Sequence, residues 1–94
     1  MKKPQDDKET VKFQRLYAEK GVVTAQFRLA QMYDEGLEVA QDYKEALKWY
    51  RLAAEQGNAE AQCSLGVMYD KGQGVAQDHE EAVKWYRLAA EQGD

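Results

Sequence analysis

The sequence predicts an all-α fold, a solenoid of antiparallel helix pairs with about five helices. Three observations lead there. Residues 23–58 and 59–94 are one 36-residue unit written twice, identical at 23 of 36 positions without a gap. A period of this size marks supersecondary units that bury their apolar faces only by stacking on one another. Within each unit the apolar residues recur at helical rather than strand spacing. The period also reaches backwards, because residues 6–22 align with 42–58 and 78–94 through Asp6, Glu9, Lys12, Arg15, Leu16, Ala18, Glu19 and Gly21. The expected organisation is a single repeat domain over residues 1–94. It consists of a half unit (6–22) and two whole units (23–58 and 59–94), with helices in the order B-A-B-A-B, where A and B are the first and second helix of a unit.

In chain order, the half unit is a B helix with softened faces. Thr10 stands where the next copy has Ala46, Phe13 replaces Trp49 and Gln14 replaces Tyr50. Added polarity on a terminal element reads as a cap, which stacked repeats need for solubility. Each A helix ends at a glycine suited to the left-handed conformation, Gly36 or Gly72. The second A helix is expected over 59–71 behind Asn58 as N-cap. A short connection follows, and Asp78 opens a B helix running to about Gln92, with Glu81 completing a capping-box pattern. Asp42, Glu45 and Gly57 punctuate the first unit in the same way. In the B helices, Ala46, Trp49 and Ala53 form one stripe and Leu47, Tyr50 and Ala54 its neighbour. Two adjacent stripes suit an interior member of a stack, with partners on both sides. Small residues at Ala30, Ala46, Ala53, Ala54 and Gly66 let axes approach, and the Trp-Tyr pairs read as core filling. The final helix, ending near Asp94, has interior-type faces without an evident cover.

The spacing of Ala61, Leu65, Gly66, Tyr69, Gly72, Val75, Asp78, Ala82, Trp85-Tyr86, Ala89-Ala90 and Gly93, with its counterparts one unit earlier, resembles the Sel-1-like repeat, a relative of the tetratricopeptide repeat. The resemblance covers residues 23–94 fully and 6–22 as a half unit. It implies a right-handed α-superhelix that acts as a protein-interaction scaffold, in a family whose members are often bacterial. Some relatives clamp their repeats with disulfides, which a lone Cys63 does not allow. The family's Gly-x-Gly-Val loop is kept at Gly72–Val75, but the first copy reads Gly36-Leu37-Glu38-Val39. A left-handed backbone at that position would cost Glu38 about 1–2 kcal/mol, so a rearranged loop is the expectation.

Composition removes several functions. With a net charge of −4 and basic residues interleaved among acidic ones, there is no basic stripe for nucleic acid. No apolar run approaches the roughly 18 residues that would argue for a membrane span. The opening MKKPQDDKET has no apolar stretch and does not read as an intact signal peptide. A soluble chain is therefore expected, cytoplasmic or, had a signal been removed, periplasmic or secreted. No cofactor or metal is expected either. His79 falls in the first turn of a helix as a solvated residue, and a lone His with a lone Cys supplies neither a ligand set nor an oriented nucleophile–base pair. Asp42, Glu45, Asp78 and Glu81 are explained by capping, and Gly72-Gln73-Gly74 lacks the context of a phosphate loop. A non-enzymatic role follows, with no catalytic residues assigned.

Subtracting one copy from the other locates a candidate binding face. The A-helix differences are Thr24/Glu60, Phe27/Cys63, Arg28/Ser64, Gln31/Val67 and Glu35/Lys71. They run i, i+3, i+4, i+7, i+11, one face roughly 100° wide. Ala25, Leu29, Met32, Tyr33 and Gly36, shared by both copies, lie on a different face and do the stacking. First helices line the concave side of such a superhelix, so these ten residues are the candidate groove for a protein or peptide segment. Drift on a solvated face would give the same differences; Phe27, a large aromatic on a non-stacking face, favours a ligand unless the N-terminal helix covers it. A second reading is structural: self-association or stacking through the C-terminal edge, with Val83, Tyr86 and Leu88 as contacts.

Overall fold

The computed structural model describes residues 4–93, with side chains from Glu9 to Gly93. It contains five helices: α1 (Pro4–Glu19), α2 (Val23–Glu35), α3 (Tyr43–Glu55), α4 (Ala59–Lys71) and α5 (His79–Gln92). There is no strand among the described residues, and each helix packs chiefly on its chain neighbours, as in a solenoid. α1 begins at Pro4, which suits a first helical turn because it has no N–H to leave unpaired. That start precedes Asp6, the position matching Asp42 and Asp78, whose side chain lies outside the described residues.

The glycine and aspartate punctuation acts as local chemistry demands. Gly36 and Gly72 adopt φ of 69° and 70°, and the next amides close back onto the helices, Leu37 N–H to Met32 O at 2.8 Å and Gln73 N–H to Met68 O at 2.9 Å. These bonds satisfy carbonyls that a helix end would otherwise orphan. Asp42 Oδ1 accepts from the Lys44 and Glu45 amides at 3.0 and 3.2 Å, and Asp78 Oδ1 from the Glu81 amide at 3.0 Å. The return arm of the capping box points elsewhere: Glu45 Oε1 accepts from Trp49 Nε1 at 3.3 Å, and Glu81 Oε1 lies 3.7 Å from Lys84 Nζ. Asn58 caps α4 through the Ala61 amide at 2.7 Å, whereas α2 starts behind Val22 with no side-chain cap.

The loop at Glu38 corrects an expectation. It is not rearranged: Glu38 takes φ of 69°, Gly74 takes 73°, and both loops close with the same bond, Asp42 N–H to Tyr33 O at 2.9 Å and Asp78 N–H to Tyr69 O at 2.8 Å. The loop bonds hold Glu38 in this strained conformation, and its exposed side chain has room there. Gly74 has no such freedom, since a Cβ there would lie 2.6 Å from the Tyr43 carbonyl oxygen.

The core runs along the stack through Leu29, Ala30, Ala46, Trp49, Tyr50, Ala53, Ala61, Leu65 and Met68. The passage from a B helix to the next A helix is built twice with the same parts. Gln26 Nε2 donates to Ala18 O and Gln62 Nε2 to Ala54 O, both at 3.1 Å. Arg15 donates to the Tyr33 hydroxyl and Arg51 to that of Tyr69, each guanidinium also lying over the ring, 5.6 and 5.7 Å from its centroid. Each buried glutamine is then gripped from the following B helix: Gln56 Nε2 donates to Gln26 Oε1 at 2.7 Å and Gln92 Nε2 to Gln62 Oε1 at 2.8 Å. An unpaired buried amide would be costly, so these bonds are what make Gln26 and Gln62 tolerable inside the core.

Candidate functional site

None of the ten face residues is buried. Thr24, Arg28, Glu35, Glu60, Cys63 and Lys71 are exposed, and Phe27, Gln31, Ser64 and Val67 are half-buried. The stacking residues Ala25, Leu29 and Met32 are buried on α2. Phe27 is packed against Tyr50, ring centroids 5.8 Å apart and tilted by 51°.

An open groove of about 660 Å³ gathers part of this face. Phe27 contributes from α2, Ala59, Glu60, Cys63 and Ser64 from α4, and Tyr86, Ala89, Ala90 and Gly93 from α5 and its end. Four of the ten residues meet there. The other six, Thr24, Arg28, Gln31, Glu35, Val67 and Lys71, do not line it, so Arg28 is not a groove neighbour of Phe27.

The α5 contribution to this groove was not anticipated, because the groove was assigned to A helices alone and Tyr86 was expected only at the C-terminal edge. A signal existed: α3 and α5 share the stretch KWYRLAAEQG, and only α3 is followed by another A helix among the described residues. Where α4 covers α3, Tyr50 and Ala54 are each 2% exposed; on α5, Tyr86 is half-buried and Ala90 is exposed.

Chemically the groove is an apolar trough with few polar points. Its polar side chains are Glu60, Ser64 and Cys63 from α4 and Tyr86 from α5. Burial pushes the Tyr86 hydroxyl above its ordinary ionisation range, and Asp70 and Cys63 add to the shift, so it stays protonated at neutral pH. Tyr50 is shifted the same way, first by burial, then by the Asp34 charge and the hydrogen bond its hydroxyl donates to Asp34 Oδ2 at 2.9 Å. His79 is exposed, its Nδ1 lies 2.5 Å from Asp70 Oδ1, and it does not line the groove that holds Cys63. No group of three or more metal-ligating side chains occurs among the described residues. No helix among them is long and apolar enough to cross a membrane.

Comparison with known proteins agrees with this architecture. The family model of the Sel1 repeat matches residues 23–58 and 59–94. Among solved structures, c5321, a protective antigen present in uropathogenic Escherichia coli strains and displaying an SLR fold, is 46% identical with a TM-score of 0.87, over 89% of this chain and 18% of that one. A Sel1 repeat protein from Oxalobacter formigenes is 40% identical with a TM-score of 0.86, over 88% of this chain and 63% of that one. Cysteine rich protein B of Helicobacter pylori shares the fold at 22% identity, with a TM-score of 0.86 over 93% of this chain and 65% of that one. The chain thus spans less than two thirds of each of these structures. No curated protein matches the sequence.

Proposed function

The chain belongs to the Sel1 repeat family, whose members are generally protein–protein interaction modules, and from that premise we propose that it holds a peptide or protein segment on its concave face, in the groove between α4 and α5. The observation that carries this reading is the groove's composition. Its shared residues, Tyr86, Ala89 and Ala90, supply an apolar floor, and positions at which the repeats differ, Phe27/Cys63 and Ser64, supply an individual wall. An apolar trough with a few fixed polar groups is the usual form of a recognition site. The partner is protein rather than nucleic acid, in keeping with a net charge of −4, and the role is scaffolding without catalysis or cofactor.

Affinity capture from the source cell's lysate tests the proposal with two variants. Cys63→Arg fills the groove from an exposed position, and Arg28→Ala alters an exposed residue outside it. A partner is expected to be captured by the wild type and by Arg28→Ala and lost with Cys63→Arg. A partner retained in full by Cys63→Arg refutes the assignment.

A further inference from the structure

We propose that a second copy of this chain docks on the outer face of α1, the two α1 helices pairing antiparallel about a two-fold axis. The face lies apart from the groove between α4 and α5, so this contact leaves the groove free. α1 buries Val11 and Ala18, and it holds α2 through Arg15 and the Ala18 carbonyl. The side directly opposite carries Glu9, Phe13, Leu16 and Lys20, at i, i+4, i+7 and i+11. Lys20 continues this stripe past the helix end, its amide still donating to the Leu16 carbonyl at 3.2 Å. A terminal helix of a stack is expected to be polar on the side away from its neighbour. Here Phe13 is 59% exposed, and Leu16 and Tyr17 are each 48% exposed. A shallow hollow of about 150 Å³ lies among Glu9, Lys12, Phe13 and Leu16.

This face is not a repeat seat left open. α5 packs chiefly on α4, the A helix of its own unit, and the residues it buries are Ala82 and Ala89. Their counterparts Ala46 and Ala53 are buried in α3 as well. α1 has Thr10 and Tyr17 at these two positions, and a tyrosine does not fit where the stack leaves room for a methyl group. The side chains of α1 therefore mark the face as something other than a stacking surface. A second copy fits because the face is complementary to itself. With the axis midway along the stripe, Phe13 comes level with Leu16 of the second copy. That leucine enters the hollow, whose four residues, at i, i+3, i+4 and i+7, form the hole that a knob fills in a coiled coil. The same register sets Glu9 opposite Lys20 and, on one flank, Lys12 beside Glu19, each pair occurring twice. All four side chains are exposed, and none has an ion-pair partner among the described residues. A parallel pair would instead set Glu9 against Glu9 and Lys20 against Lys20, so the charges select the antiparallel arrangement.

Sedimentation velocity of the intact chain at low salt, from about 10 μM to about 1 mM, tests the proposal. A monomer–dimer equilibrium is expected, with Kd on the order of 100 μM for one helix face against another. Phe13→Glu should abolish it. Glu9→Lys and Lys20→Glu alter exposed residues, so the circular dichroism of each variant should match the wild type. Each variant alone sets like charges together at both ends of the helix pair and is expected to weaken the dimer about tenfold. An equimolar mixture of the two restores both attractions, and a heterodimer of near wild-type affinity is expected. A chain that stays monomeric at the highest concentration overturns the proposal. So do variants that dimerise as the wild type does, which would move the contact elsewhere, the C-terminal edge included. A mixture no stronger than its components would also overturn it, because the antiparallel register requires the rescue.

Discussion

Residues 48–57 and 84–93 are the same ten residues in two settings. In α3 the stretch lies between α2 and α4, and Trp49, Tyr50, Ala53 and Ala54 are all buried. In α5 it lies chiefly against α4 among the described residues, and of the matching residues only Ala89 is buried. The polar atoms follow suit. Trp49 Nε1 has Glu45 as acceptor, whereas the buried Trp85 Nε1 has no partner among the described residues. Tyr50 donates to Asp34, whereas Asp70, its counterpart, lies against His79. Identical sequence thus gives a buried core on one helix and a largely open face on the other. What decides between them is the neighbour, as expected of a fold whose stability is nearly a sum of nearest-neighbour terms.

The sharpest way to break the comparison is to truncate the two tyrosines. Tyr50→Ala is expected to cost about 3–5 kcal/mol, the range for a large buried side chain, and Tyr86→Ala about half as much. Urea denaturation followed by circular dichroism checks this, and equal losses would mean that the two helices are equivalently packed. Next is the loop pair. Gly74→Ala combines a left-handed backbone with a Cβ driven into the Tyr43 carbonyl, so a loss of about 2 kcal/mol or more is expected. Glu38→Gly relieves strain and should stabilise by about 1 kcal/mol in the same assay. The alkaline limb should differ as well. The folded state holds the Tyr50 hydroxyl protonated above the ordinary range, so its contribution is complete below pH of about 10 and falls as pH rises beyond it, where the unfolded chain ionises first. Tyr50→Phe should flatten that decline in a series of melts from pH 8 to 11, and Tyr86→Phe should flatten it less. The smallest difference belongs to the pair Leu52→Ala and Leu88→Ala. Both are expected to cost about 1 kcal/mol and to match each other closely, since the two side chains are similarly part-exposed.

Much of the fold was legible because its signals are local. Gly36, Gly72, Asp42, Asn58 and Asp78 act through their own backbones and nearest amides, and the helix bounds at 59–71 follow directly from them. The site was less legible because it depends on what lies beside a segment. Comparing copies picked out Phe27, Glu60, Cys63 and Ser64, but the same logic set Ala90 aside as a shared packing residue and placed Tyr86 only on the C-terminal edge of the second reading. Shared residues build a core only where the next helix arrives. Glu38 misled in the opposite sense: a strained position suggested a new loop, but the bonds around it outweigh about 1–2 kcal/mol of backbone cost. Gln26 and Gln62 were the quietest signal, each a polar residue retained between alanine and the stacking face in both copies.

Those two glutamines also act as a gauge. Each amide joins the B helix before it to the B helix after it, through Ala18 and Gln56 in one case and Ala54 and Gln92 in the other. Leucine and alanine contacts are forgiving of small axial slips, but a slip of one residue, about 1.5 Å along a helix, would stretch a hydrogen bond of 2.7–3.1 Å beyond use. B helices that are separated by an A helix in the chain are thereby held at a set spacing. The buried amides thus set the spacing of the repeats along the stack.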